Sequence, residues 1–175
     1  DQMMDETKKV IHMELDFLPL KSYANIVEAN ALRIDWEDVV PKHKLNYIMG
    51  NPPFVGTKYQ SKMQKEDILL ISSGLKMLDY VAGWYKLASD YIQHTQIKCA
   101  FVSTNSITQG EQVAPLWKEL NVKIFFAHRT FRWDSEASIK AHVHCVIIGF
   151  AAYDIINKTI FDGDKIIKAT NINGY

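Results

Sequence analysis

Apolar residues in this chain follow two different periods, and the switching between them outlines an α/β fold. Short β-type apolar runs fall at 25–29, 47–49, 99–103, 122–127 and 142–150. Between several of them, apolar positions recur every three or four residues. The clearest case is 78–93: Leu78, Val81, Tyr85, Ala88 and Ile92 form a stripe, while Asp79, Lys86, Ser89, Asp90 and Gln93 fall largely on other faces. Residues 64–77 read as a helix. So do 111–120, with Pro115 in the first turn or two, where a missing N–H costs least. Residues 1–16 carry an imperfect helical stripe of Met3, Val10, Met13 and Leu15. Near the end, Thr159-Ile160-Phe161, Asp162-Gly163 and Lys165-Ile166-Ile167 predict a hairpin.

Strands that alternate with helices predict a mainly parallel sheet with helices on its faces. About 14 residues separate Ala127 from His142, too few for a crossover helix, so the last strand is expected to be antiparallel. No repeat, low-complexity segment or linker divides the chain, and its 175 residues suit one domain with a real core. An apolar content of 47% excludes a disordered chain. No apolar stretch approaches the roughly 20 residues that span a bilayer, and the start, Asp1-Gln2-Met3-Met4-Asp5-Glu6, is no signal peptide. Cys99 and Cys145 sit inside apolar runs and are expected as buried free thiols, which suits a reducing cytoplasm. Neither belongs to a Cys-x-x-Cys pair, so no zinc or redox motif is supported.

Charge is balanced, with 20 basic and 20 acidic side chains. A self-sufficient duplex binder usually has a basic excess, because phosphate contacts supply much of the affinity. A nucleic-acid enzyme with this balance takes its grip from elsewhere. That, with the absence of Met at position 1, leads to the expectation of a piece of a larger polypeptide.

The chemistry is concentrated in Asn51-Pro52-Pro53-Phe54, after Tyr47-Ile48-Met49 and Gly50. An amide oxygen can accept from an exocyclic amino group, the prolines fix nearby carbonyls, and a phenyl face can stack on a flat ring. That set suits methylation of a nucleobase amino group. The competing reading is an Asn-Pro-Pro turn followed by a core Phe. The company of the motif favours a site. Asn30-Ala31-Leu32-Arg33-Ile34-Asp35-Trp36, Ser103-Thr104-Asn105-Ser106 and His128-Arg129-Thr130-Phe131-Arg132-Trp133 also follow strand-like runs. In open α/β sheets, ligands bind beyond the carboxyl ends of strands.

Taken in order, Asn-Ala-Leu-Arg-Ile-Asp-Trp, Gly-Asn-Pro-Pro-Phe-Val-Gly, Leu-Asp-Tyr-Val-Ala-Gly-Trp-Tyr, Ser-Thr-Asn-Ser-Ile-Thr-Gln-Gly-Glu-Gln and His-Arg-Thr-Phe-Arg-Trp carry a resemblance. Over about residues 24–150 the chain resembles the DNA amino-methyltransferases that use S-adenosyl-L-methionine. Within them it is most similar to large bacterial restriction-modification proteins that join nuclease, methyltransferase and target-recognition parts. The resemblance implies a Rossmann-like class I methyltransferase sheet, incomplete on its N-terminal side, and DNA with one base flipped out as partner. The family's glycine-rich cofactor loop and ribose-binding acid should precede this segment, and its target-recognition region should follow residue 175. No two of the 8 glycines are separated by a single residue, so even Gly-x-Gly is absent. The whole of 1–175 is therefore expected to be one partial catalytic domain, inactive when isolated, served by the rest of its own polypeptide.

Roles follow from the resemblance residue by residue. Asp35 would accept from the cofactor's adenine amine, with Trp36 against that ring and Asn51 near the cofactor; the plainer reading makes Asp35 a helix cap. Asn51 and the Pro52 carbonyl, on a backbone stiffened by Pro53, would accept both hydrogens of the target amine. Phe54 would stack on the flipped base, with Phe131 as the opposite wall. Trp133 competes with Phe131, and Phe131 could also be a core residue. Adenine N6 is the favoured acceptor; cytosine N4, RNA guanine N2, a protein glutamine amide, or a non-catalytic scaffold are the alternatives. His142-x-His144 reads as structural, since a metal needs more ligands. Tyr80, Trp84, Tyr85 and Tyr91 read as core.

Overall fold

The structure, a computed structural model, describes residues 25–133 and 143–174. The helix expected over 1–16 lies outside them. Six strands form one sheet: β1 (Tyr47–Gly50), β2 (Lys98–Thr104), β3 (Lys123–Trp133), β4 (Val143–Ala151), β5 (Lys158–Asp162) and β6 (Lys165–Ala169). Their order is β1-β2-β4-β3-β5-β6. β1 and β2 pair in parallel, as do β3 and β5. β4 lies antiparallel between β2 and β3. β1, β2, β3 and β5 thus share one direction. The expected antiparallel strand is present but sits in the interior of the sheet, and β6 is a second one.

Four helices accompany the sheet: α1 (Trp36–Val39), α2 (Lys62–Ile71), α3 (Ala82–Tyr91) and α4 (Val113–Glu119). α2 begins at a capping box in which Ser61 and Gln64 exchange side-chain and backbone hydrogen bonds. Pro115 lies in the first turn of α4, where its missing N–H breaks no helical bond.

The core forms on one face of the sheet. Cys99, Phe101 and Ser103 of β2 alternate as buried positions, and their partners on β4 are Phe150, Ile148 and Val146. Tyr85 of α3 stacks on Phe150 (5.4 Å between ring centroids, 27°) and meets Phe101 and Trp117 edge-on. Its hydroxyl lies 2.8 Å from Ser103 Oγ. Burial pushes the Tyr85 pKa up, so this phenol stays neutral. The other face, with Ala100, Val102, Phe126 and Ile147, is only half-buried. Helices expected on that second face are not among the described residues. Cys99 and Cys145 are free and buried; burial pushes the Cys99 thiol up to about 12 and raises Cys145 as well.

Three expectations are corrected. Residues 25–29 form no strand: Ile26 is 87% exposed, and among the described residues no strand pairs with this segment. A strand needs a partner, and apolar β-branched residues alone do not supply one. The helix expected from Leu78 starts only at Ala82, because residues 77–80 bind a neighbouring loop. The segment from His128 to Trp133 is strand, not loop; it extends β3 past a register shift between His128 and Phe131. The terminal hairpin is as expected, with Gly163 at φ +56° in its two-residue turn.

Candidate functional site

Asn51-Pro52-Pro53-Phe54 leaves the carboxyl end of β1, the outermost strand, beside β2. Asn51 and Pro53 are exposed, Pro52 is buried and Phe54 is half-buried. Among the described residues no hydrogen bond occupies the Asn51 carboxamide. The chain beyond Phe54 is fastened from the segment before α3. Tyr80 N–H donates to the Val55 carbonyl (2.9 Å), Thr57 Oγ1 to the Met77 carbonyl (3.0 Å) and Gln60 Nε2 to the Leu78 carbonyl (2.8 Å). The Leu78 carbonyl, which a helix starting there would need as the acceptor for Ala82 N–H, is taken by Gln60.

A pocket of about 300 Å³ opens beside Asn51. It is lined by Trp36, Ile48, Asn51, Pro52, Trp84 and Phe101, together with Met49, Gly50 and Pro53. That volume is at the small end for ligand sites and suits one flat ring system. A larger cleft of about 960 Å³, between Gly56–Tyr59 and Gln109–Pro115, contains none of Asn51, Pro52 or the two indoles. The smaller pocket is the candidate site, because it joins the exposed amide to two tryptophans.

The loop that carries Trp36 is held by one carboxylate. Asp67 of α2, 2% exposed, accepts from Asn30 Nδ2 (2.9 Å), Arg33 Nε (2.5 Å) and Tyr80 Oη (2.5 Å). Burial alone would raise the Asp67 pKa, but the hydrogen bonds from Tyr80, Arg33 and Asn30 outweigh it and hold the carboxyl below its ordinary value. Burial, and then the bond to Asp67, pushes Tyr80 up to about 12. Leu32 is buried in the same loop, and Gly83 of α3 lets it come close: a Cβ there would lie 3.1 Å from Leu32 Cδ1 and 2.9 Å from Ile68 Cδ1. Trp36 is fixed by Nε1–H to the Ala31 carbonyl (2.8 Å) and an edge contact with Tyr91.

Asp35 caps α1, accepting from Glu37 N–H through Oδ1 (2.9 Å), as its plainer reading had it. A carboxylate has about four acceptor sites, so capping leaves capacity for another donor. Phe131 lies elsewhere. It pairs with Cys145 inside β3, against His128 and near Trp133. β3 is the third strand from β1, about 14 Å away at the usual strand spacing. The structure thus brings Trp36, Asn51, Pro52 and Pro53 into one pocket, whose lining includes none of Asp35, Phe54 and Phe131. Trp84 is the residue the sequence reading missed. It packs against the core, as its helical spacing suggested, and also lines the pocket; the signal for the second role was its place in Leu-Asp-Tyr-Val-Ala-Gly-Trp-Tyr, one of the ordered motifs. Among the described residues no three His, Cys, Asp or Glu side chains form a metal-binding group, and no helix is long and apolar enough to cross a membrane. His144 is exposed, and His142 lies outside the described residues.

A Rossmann-like sheet that ends one strand in an exposed Asn-Pro-Pro-Phe, beside an indole-lined pocket, is the arrangement of an S-adenosylmethionine-dependent methyltransferase. Within that class the chain belongs to the MmeI DNA-methyltransferase domain family, whose model matches residues 1–162. It is 40% identical to DNA methyltransferase A of Bacillus subtilis (strain 168) over 184 residues, which covers 99% of this chain and 21% of that protein. It is 49% identical to the type IIL restriction-modification enzyme MmeI, solved in complex with DNA, with a TM-score of 0.85 over 99% of this chain and 25% of that one. A protein described as the modification subunit of a type I restriction enzyme from Vibrio vulnificus YJ016 shares the fold alone: 13% identity and a TM-score of 0.54 over 77% of this chain and 28% of that one. The chain thus spans between a fifth and a quarter of the two more similar relatives. The pocket fits the adenine end of the cofactor, for its lining is two indoles, apolar side chains and one amide.

Proposed function

We propose that this chain is the catalytic portion of a restriction-modification DNA methyltransferase that methylates the N6 amino group of a flipped-out adenine. The observation that carries this reading is the position of Asn51: exposed, at the carboxyl end of β1, in one pocket with Trp36 and Trp84. DNA as the partner is supported by the relative at 49% identity, described in complex with DNA. Residues 1–175 are read as one partial catalytic domain, working with further parts of its polypeptide.

In this mechanism the protein supplies acceptors and stacking surfaces. Trp36 and Trp84 would hold the cofactor's adenine, and Asp35 would accept from its amine. S-adenosyl-L-methionine, when bound, would supply an electrophilic methyl whose carrier departs as a neutral thioether, so that no covalent enzyme intermediate is needed and the methylated amine sheds its extra proton to water. An aromatic amine is a weak nucleophile because its lone pair is spread into the ring. Asn51 Oδ1 and the Pro52 carbonyl accept its two hydrogens and favour a more tetrahedral nitrogen, so the lone pair localises as transfer proceeds. This is transition-state stabilisation by groups already in place. Extruding the base costs a few kcal/mol, and stacking on Phe54 returns about 1–3 kcal/mol.

The test is methyl transfer by the full-length protein from labelled cofactor to DNA, RNA and protein, with Asn51→Ala alongside. Label should appear in DNA as N6-methyladenine and disappear in the variant. Label confined to RNA or protein, or recovered as N4-methylcytosine, rejects the assignment of substrate.

A further inference from the structure

We propose that Asp79 is a positioning residue for the catalytic loop, clamping the chain beyond Asn51–Phe54 to the loop that follows β2. The proposal rests on the reading of Asn51 given above. Asp79 lies in the segment between Ser73–Leu75 and α3, outside the pocket of Trp36 and Asn51. Both of its carboxylate oxygens are engaged. Oδ1 accepts from the backbone N–H of Thr57 (3.1 Å), three residues past Phe54. Oδ2 accepts from Ser106 Oγ (2.7 Å). Ser106 is in turn 2.7 Å from Thr104 Oγ1, at the last residue of β2. The backbone N–H of Asp79 donates to Gln112 Oε1 (2.9 Å), which fixes the carboxylate's own backbone.

β1 and β2 are parallel neighbours, so the loops at their carboxyl ends emerge side by side. Sheet hydrogen bonds hold these loops only at their strand ends. The amide and carbonyl acceptors must nevertheless stay within a fraction of an ångström of one geometry, since a displacement of about 1 Å can cost about a hundredfold in rate. Asp79 supplies the missing restraint. One side chain binds the far end of the catalytic loop and the neighbouring loop together, and the bonds from Tyr80 N–H to Val55 and from Thr57 Oγ1 to Met77 lie on either side of it. The roles of two motifs follow: Leu-Asp-Tyr-Val contributes the clamp, and Ser-Thr-Asn-Ser gives it a fixed point on the sheet. Asparagine could replace the acid in part, with Oδ1 accepting from Thr57 and Nδ2 donating to Ser106.

The experiment compares Asp79→Ala, Asp79→Asn, Ser106→Ala and Asn51→Ala in the full-length protein. It measures single-turnover methyl transfer, cofactor dissociation constant and melting midpoint. Asp79→Ala should slow transfer by about thirtyfold to a hundredfold, with cofactor affinity within about twofold of the parent. Asp79→Asn should recover most of that loss. Ser106→Ala, which removes one of the two contacts, should slow transfer by about threefold to tenfold, and it decides the matter if Asp79→Ala does not fold. Parent-like transfer in Asp79→Ala or, where that variant does not fold, in Ser106→Ala overturns the clamp. So does a parallel fall in rate, affinity and melting midpoint that Asp79→Asn fails to rescue. Those results leave the reading of Asn51 standing provided Asn51→Ala is inactive; an active Asn51→Ala removes that reading itself.

Discussion

The two halves of the pocket are held in place by different physics. The half that carries Trp36 hangs on buried Asp67, which collects two donors from one loop, Asn30 and Arg33, and a third, Tyr80, from before α3, and lies against a packed core. The half that carries Asn51 lies on an edge strand, exposed, with its carboxamide unbound by any described residue. One half spends its polar groups on being rigid. The other leaves its amide open, as its proposed role toward a substrate requires, and takes its rigidity from proline and from bonds placed beyond Phe54. A binding surface can satisfy its own hydrogen bonds; a group meant to stabilise a transition state cannot.

That contrast predicts a separation of phenotypes. The largest effect belongs to Asn51→Ala: a loss of about 10²–10³ in single-turnover rate, with cofactor affinity nearly unchanged. Equal losses in both would merge the two halves. Asp67→Ala should instead act on folding and on the cofactor, because it strips a buried acceptor from Asn30, Arg33 and Tyr80. A cost of about 2–3 kcal/mol is expected by denaturant titration, held down because the Arg33 side chain is 41% exposed and can turn to water. Trp84→Ala removes one ring of the pocket and should weaken cofactor binding by about tenfold, with a smaller effect on base binding. Phe54→Ala should cost about tenfold in transfer, and Phe131→Ala less, since β3 lies three strands from β1. Losses of equal size would return Phe131 to the base pocket.

Acid sharpens the same comparison. The folded Asp67 carboxyl is held below its unfolded value of about 4. Its contribution to stability is therefore complete above that value and is lost as pH falls through the folded pKa. Acid unfolding monitored by circular dichroism should show a shallower pH dependence in Asp67→Asn than in the parent below about pH 4. Identical slopes would mean that the cluster around Asp67 does not contribute through ionisation.

Residues with strong local signals were legible without coordinates. Lys98–Thr104 and Val143–Ala151 are strands because dense β-type apolar runs must be buried. The hairpin followed from Asp162-Gly163, where glycine adopts the positive φ that the turn requires. Errors fell where a distant partner decides. Ile26 and Val27 have strand-like chemistry and no neighbour. His128–Trp133 looks polar enough for a loop, yet it finds β4 alongside and extends the ladder. Residues 78–81 have helical spacing, but the Leu78 carbonyl and the Tyr80 N–H bond the loop after Phe54 instead.

The chain's own residues made the class of chemistry legible, because an amide, two φ-restricted prolines and a phenyl ring stand together in sequence and four further motifs accompany them in a fixed order. They also marked the strands with dense apolar runs, Lys98–Thr104 and Val143–Ala151 among them, since such runs are driven into the core. Only the tertiary structure decided that Trp84 lines the pocket beside Asn51, and that Asp67 meets Asn30, Arg33 and Tyr80. Those are facts about residues far apart in sequence, and their separation in space is set by sheet order and helix packing, which no local pattern encodes.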